Sequence, residues 1–172
     1  MNIVLISMDC VRPDYMVSSS FERLRNNGLV FTQCIAQAPH TSTSHASILT
    51  GMYPFHHGVR WLVDFKVQTP MLQEMLKDKG YKTAAFIGGF PLSKGNLDRG
   101  FDLFEHTPVC SDRGEGRGDY TPANVLVSRA INWLRETPEE DRFVFLHLFD
   151  AHLTLRSELG YETYSRRIKR YK

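Results

Sequence analysis

The feature that most constrains this chain is a set of three short apolar runs without polar alternation: Ile3-Val4-Leu5-Ile6, Thr83-Ala84-Ala85-Phe86-Ile87 and Phe143-Val144-Phe145-Leu146-His147-Leu148-Phe149. A strand with one wet face alternates apolar and polar residues, whereas a strand covered on both faces is apolar throughout. The runs therefore read as strands of a parallel sheet buried on both faces. Helical patterns separate them. Ser19 with Glu22 makes a capping box for a helix carrying Phe21 and Leu24, closed near Gly28. Met71, Leu72, Met75 and Leu76 form a helical stripe that stops at Gly80. Thr121-Pro122 supplies an N-cap and a first-turn proline to a longer helix, with Leu126, Val127, Ala130, Ile131 and Leu134 on its buried side. Strands alternating with helices predict an α/β fold with right-handed crossovers. Residues 109–120, rich in Gly, Asp and Arg, have no period and read as an exposed loop.

A length of 172 residues, 42% of them hydrophobic, suits one domain with one sizeable core. The net charge of +2 gives no reason to expect nucleic acid or an anionic membrane as a partner. The run Ile3 to Ile6 is far too short to span a bilayer, and no basic segment precedes it as in a signal peptide. Cys10, Cys34 and Cys110 lie far apart with no CxxC spacing. An odd count without a secretory signal predicts reduced thiols in the cytoplasm and argues against a disulfide framework.

In an open α/β sheet, ligands sit beyond the carboxyl ends of the strands. The first run leads into Asp9 and the last into Asp150-Ala151-His152. A carboxylate at a strand end is costly to bury unless a cation or hydrogen bonds compensate. A metal ion would compensate both, while for Asp9 alone a turn or helix cap is an equal reading. Between them lies the segment from Pro39 to Val59. Its hydroxyl-rich start, Thr41-Ser42-Thr43-Ser44, followed by Ala46-Ser47-Ile48-Leu49, reads as a loop opening a short helix. The helix N-terminus would offer N–H groups and a partial positive charge to an anion. By composition alone, such a run is more often a capping loop than a nucleophile site.

The order of residues in this segment resembles the signature of the sulfatase family, within the alkaline phosphatase superfamily. Leu49-Thr50-Gly51, Tyr53-Pro54 and His57-Gly58-Val59 match, which puts Thr41 at the nucleophile position. The stretch is also similar to nucleotide pyrophosphatase/phosphodiesterase relatives through Thr41, His45, Thr50-Gly51, Tyr53-Pro54 and His57-Gly58. Asn2 to Tyr15 resembles the family's opening strand and metal-binding turn, with Asp9 as first metal ligand and Arg12 and Asp14 in supporting roles. Gly80-Tyr81-Lys82-Thr83 and Arg99-Gly100-Phe101-Asp102 resemble two further landmarks. His147 to His152 resembles the family's His-x-x-Asp-Pro-His segment, with Ala151 in place of proline. The resemblance covers nearly the whole chain. It implies a three-layer αβα fold with a mostly parallel sheet, alkaline-phosphatase-like. Residues 1–172 would be the N-terminal portion of that sulfatase-like catalytic domain, truncated, without the C-terminal part and its Asp-His pair of metal ligands.

Three departures bear on chemistry. Sulfatases oxidise Cys or Ser at the nucleophile position to formylglycine, and Thr41, with a methyl on Cβ, cannot give that aldehyde. The resemblance then implies direct attack by the Thr41 hydroxyl with the help of a metal, and it widens the substrates to phosphate and phosphonate esters. The usual Asp-Asp pair is Asp9-Cys10 here. Cys10 reads as a packed thiol or, alternatively, as a soft ligand that would favour zinc. The family's Gly-Lys after the second strand is Gly88-Gly89-Phe90, without the cation. The resemblance thus implies a metal-dependent hydrolase of a small-molecule or carbohydrate sulfate or phosphate ester. Asp9 and Thr41 would hold a divalent metal (Zn, Mn or Ca), Thr41 would be the nucleophile, and His45 and His152 would hold substrate oxygens. His147 reads as a satisfied core or supporting residue, His40 and His56 as loop surface, and His57 as orienting the loop. Two alternatives stand beside this one: a phosphotransferase using the same Thr41 intermediate, and an inactive fragment or interaction module. Uncovered sheet edges and helix faces predict self-association.

Overall fold

The computed structural model describes residues 1–60, 66–89, 92, 95–107, 120–138 and 140–153. The loop predicted at 109–120 lies outside these except for Tyr120, and Cys110 lies outside them too. In chain order the elements are β1 (Asn2–Met8), a 3-10 turn (Pro13–Tyr15), α1 (Ser19–Asn26), α2 (Thr41–Thr50), α3 (Pro54–His57), α4 (Leu72–Lys77), β2 (Lys82–Ile87), β3 (Leu103–Glu105), α5 (Ala123–Glu136), β4 (Arg142–Leu148) and α6 (Asp150–Leu153). The four strands form one sheet in the order β1-β4-β2-β3, and every pairing is parallel. All three predicted strands are present. The sequence reading missed β3, because three residues are too few to show a period.

Because successive strand residues face opposite sides, the sheet builds two cores. On one face Ala85, Ile87, Phe143 and Phe145 pack with Ala46 and Leu49 of α2 and with Met71 at the head of α4. On the other, Ala84, Phe86, Val144 and Leu146 pack with Leu126 and Ala130 of α5. The arrangement is a three-layer αβα sandwich. Phe86, Phe143 and Phe145 are fully buried, and each stabilises the fold by about 1.5–3 kcal/mol relative to exposure.

Burial on both faces holds for β2 and β4 but not for β1, where Val4 is 50% and Ile6 55% exposed. β1 is one of the two outer strands, and the main contacts of α5 with the sheet are to β4 and β2. The predicted stripe of α5 is buried in part: Leu126 and Ala130 are buried, while Val127 and Ile131 remain exposed. Helix starts shift by one residue. Ser18, not Ser19, caps α1 by accepting from the Phe21 N–H, and Pro122 is itself the N-cap of α5. On α4 Met75 is exposed, and buried Gln73 instead ties the helix down by donating to the Leu97 and Arg99 carbonyls at 3.2 and 3.0 Å.

The two landmarks around Gly80 and Arg99 fix the strand starts. The Arg99 guanidinium grips Glu74 at 2.8 and 2.9 Å and also donates to the carbonyls of Val67 and Thr69. Asp102 accepts from the Thr83 N–H at 2.9 Å and from Lys77 at 2.6 Å, which aligns the approach to β3 beside β2. No helix among the described residues is long and apolar enough to cross a membrane.

Candidate active site

The carboxyl ends of β1 and β4 lie side by side, with Ser7 opposite His147 and Met8 opposite Leu148. The ladder runs one step further, since the Asp9 N–H donates to the Leu148 carbonyl at 2.9 Å. At Cys10 the chain turns away in the left-handed region, φ 59°, an uncommon conformation for a residue with a Cβ. Asp9 is thereby delivered to the mouth of the sheet.

The N-terminus of α2 meets it there. Thr41, the first residue of the helix, donates its hydroxyl to Asp9 Oδ2 at 3.1 Å across 32 positions of sequence. The helix starts at Thr41 itself, so the expected hydroxyl-rich loop is already its first turn. The first intrahelical amide bond runs from Ser44 to the His40 carbonyl, and the N-cap residue His40 contributes no side-chain cap. The amides of the opening turn therefore concentrate partial positive charge beside Thr41.

The signature residues behind Thr41 hold this helix in place. Thr50 donates to the Ala46 carbonyl at 2.6 Å, and Gly51 closes α2 at φ 67°. Tyr53 and Pro54 then start α3, which ends at Gly58. His57 is buried. Its Nδ1 accepts from the Val59 N–H at 3.1 Å, so Nε2 carries the proton that goes to Ser47 Oγ at 2.9 Å. Burial lowers its pKa and favours that neutral form. His57 pins α2 to the following loop.

His45 occupies a comparable place one turn after Thr41. Its Nδ1 donates to the Thr41 carbonyl at 2.7 Å, and its Nε2 accepts from the Ser7 hydroxyl at 2.7 Å. Burial, with His147 close by, pushes its pKa down to about 4 against the opposing pull of the Thr41 carbonyl and Asp9, so the ring is neutral. Both nitrogens are engaged, and the ring is 4% exposed. This geometry ties Thr41 to β1 and leaves no ring nitrogen for the expected substrate oxygen. Ser7 escaped the sequence reading, although its place two residues before Asp9 on the same strand face was the available signal.

Of the two readings of His147, core or supporting residue, burial fits the first, since the side chain is fully buried, but among the described residues neither ring nitrogen has a hydrogen-bond partner. Its Nε2 lies 3.8 Å from Asp9 Oδ2. Asp150, the first residue of α6 and two residues past the end of β4, accepts from the Ala123 N–H through both carboxylate oxygens, at 3.1 and 3.0 Å. The start of α5 therefore supplies its carboxylate with a hydrogen-bond donor. His152 lies on α6 just beyond the same strand end, and its side chain is outside the described residues. Cys10 is exposed and so is not a packed thiol; partial desolvation of its sulfur, with Asp9 beside it, raises its pKa. Arg12 and Asp14 pair at 2.7 Å on the exposed 3-10 turn. Phe90 lies outside the described residues. A Cβ on Gly88 would meet the His147 carbonyl at 2.7 Å, and one on Gly89 would meet the Phe149 ring at 2.5 Å, so both positions need glycine for close packing.

For a divalent cation, Asp9 Oδ2 and Thr41 Oγ1 form an oxygen pair at 3.1 Å, a separation that suits two ligands on one ion. The pair fits one side of a metal site. Among the described residues no group of three or more His, Cys, Asp or Glu side chains is arranged to complete it.

The model of the sulfatase family matches residues 1–171. No curated protein shows a significant match to the chain. Among solved structures, BT4656, in complex with its substrate D-glucosamine-2-N,6-O-disulfate, matches with a TM-score of 0.66 at 21% identity, over 86% of this chain and 34% of that one. A protein in the alkaline phosphatase superfamily from Vibrio parahaemolyticus matches with a TM-score of 0.63 at 19% identity, over 86% of this chain and 40% of that one. At these identities the likeness is one of fold, and the chain spans 34% and 40% of the length of the two proteins.

Proposed function

The chain belongs to the sulfatase family, and from that footing we propose that it carries the nucleophile side of a hydrolase of sulfate, phosphate or phosphonate esters, with Thr41 as nucleophile. The observation that carries this reading is the Thr41 hydroxyl on Asp9 Oδ2 at 3.1 Å, at the head of a helix. Asp9 and Thr41 would hold a divalent cation, which supplies positive charge that makes the hydroxyl more acidic and offsets the charge of the transferred group.

The protein's own residues do the rest. Asp9 accepts the Thr41 hydroxyl and orients its oxygen. Thr41 Oγ attacks phosphorus or sulfur in line; its bond to that atom forms as the bond to the ester oxygen breaks. The hydroxyl proton passes to Asp9 or water, and the alcohol leaves with a proton from solvent. Water then cleaves the phospho- or sulfo-threonine, releasing the free anion and restoring the hydroxyl. The amides opening α2 stabilise the non-bridging oxygens, with His152 as a further contact from α6. His45 acts through Thr41, holding its carbonyl, in place of the direct substrate contact expected of it.

The methyl on Thr41 favours phosphate and phosphonate esters, since the formylglycine route is closed to it. The substrate of BT4656 is a sulfated glucosamine, which supports a small carbohydrate or similar ester as the class. One observation favours a second reading, an inactive or interaction module: no described cluster completes a three-ligand metal site.

The test is turnover of nitrophenyl phosphate, bis-nitrophenyl phosphate and nitrophenyl sulfate with added Zn²⁺ or Mn²⁺. We expect activity with at least one ester, a loss of at least about 10³-fold in Thr41→Ala, and activity retained in Thr41→Ser. Transfer to an added alcohol would identify a phosphotransferase using the same intermediate. Absence of both turnover and bound metal would overturn the enzyme reading.

A further inference from the structure

We propose that His147 is a positioning residue for Asp9, a ring on the neighbouring strand that fixes the orientation in which the carboxylate meets Thr41 and a cation. This rests on the reading of Asp9 as a metal ligand given above. His147 sits on β4 between β1 and β2, in register with Ser7 on one side and Ile87 on the other. Its carbonyl also accepts from the Gly88 N–H at 2.9 Å. A backbone held from both sides gives the ring a fixed base, whereas Asp9 stands where β1 ends and the chain turns away.

Among the described side chains recorded beside the ring, Asp9 is the one that carries a formal charge. His45 meets it edge-on with centroids 5.0 Å apart, but both nitrogens of His45 are taken by Ser7 and the Thr41 carbonyl. The Phe149 ring lies beside it with centroids 5.8 Å apart. Ser7, in register with His147, gives its hydroxyl to His45, and Asp9 Oδ2 lies 3.8 Å from Nε2. That is longer than a hydrogen bond, and a small turn of the carboxylate toward the ring closes it, as catalytic contacts tighten on forming the working complex.

A buried imidazole with unmade hydrogen bonds is otherwise a liability. An apolar ring of similar size would fill the same space among aromatic neighbours without unsatisfied nitrogens. Residues that orient a metal's ligands from behind typically change metal affinity by roughly 10–100-fold when removed. Packing and positioning therefore predict opposite results for one substitution.

The experiment compares the full chain with His147→Phe and His147→Gln, measuring Zn²⁺ or Mn²⁺ affinity by calorimetry and metal-free heat stability by circular dichroism. Positioning predicts that His147→Phe stays folded, with heat stability at or above the wild type, but binds metal about 10–100-fold more weakly. His147→Gln, whose amide N–H reaches toward the same oxygen, recovers most of the affinity. Wild-type affinity in His147→Phe would overturn the proposal, and so would equal loss in both variants. If His147→Phe does not fold, the glutamine variant decides: near-wild-type affinity supports positioning and loss overturns it. A wild-type chain that binds neither metal would overturn both this proposal and the reading of Asp9, whereas binding insensitive to position 147 would overturn this proposal alone.

Discussion

Asp102 shows how one side chain couples the fold to pH. Burial by itself would raise its pKa, but hydrogen bonds from Lys77 and from the Thr83 N–H and hydroxyl outweigh that and hold it below its ordinary value of 3.8. A carboxyl whose native pKa is depressed stabilises the fold above the unfolded value, and that stabilisation disappears as pH falls through the native one. Asp102→Asn is therefore expected to lower stability at neutral pH and to flatten the loss of stability below the ordinary carboxylate range. Urea midpoints measured down the acid limb check this, and an unchanged acid slope in the variant would contradict it. The segment around Asp102 was visible in the sequence as a landmark, yet its task was not. The partners of Arg99 include the carbonyls of Val67 and Thr69, and a backbone carbonyl leaves no mark in the sequence that names it as a partner. The hydrogen bonds of His45 were only half legible for a related reason. Its spacing from Thr41 identified the turn, while the second bond depended on Ser7, which lies 38 positions away.

At the scale of elements, strand ends and helix starts share their electrostatics. Asp150 follows β4 and caps α5 through the Ala123 N–H. Asp150→Ala is expected to cost about 1 kcal/mol of stability through the lost cap, with metal affinity unchanged. Thermal melts and metal titration separate the two effects, and a large fall in affinity would instead make Asp150 part of the metal site. The sequence showed a carboxylate at a strand end but not which compensation it receives, because α5 begins 27 positions earlier and approaches only once the sheet is formed. β2 and β4 were legible through unbroken apolar runs and α5 through its helical stripe. β3, with three residues, owes its place to pairing with β2 and to the Asp102 network, and no local period announces it.

For the whole molecule, the layer built by α5 does not cover β1 among the described residues, whereas Ile3 and Leu5 on the opposite face of β1 pack on the other core. The apolar sequence of β1 anticipated cover on both faces, and among the described residues Val4 and Ile6 lack it. A strand that is both a sheet edge and apolar on an open face favours association between chains. Sedimentation at rising concentration is expected to show self-association that weakens in Val4→Lys and Ile6→Lys; equal association in these variants would place the contact elsewhere. The sheet nevertheless brings Asp9 and Thr41 together at its carboxyl end, and the account turns on that meeting. Its most direct test is to incubate the chain with a nitrophenyl ester it turns over, quench it in acid, and map the transferred group by peptide mass spectrometry. The account predicts a phosphoryl or sulfuryl group on Thr41 in the wild type and no covalent adduct in Thr41→Ala. A group carried on a different residue, or turnover preserved in Thr41→Ala, would contradict it.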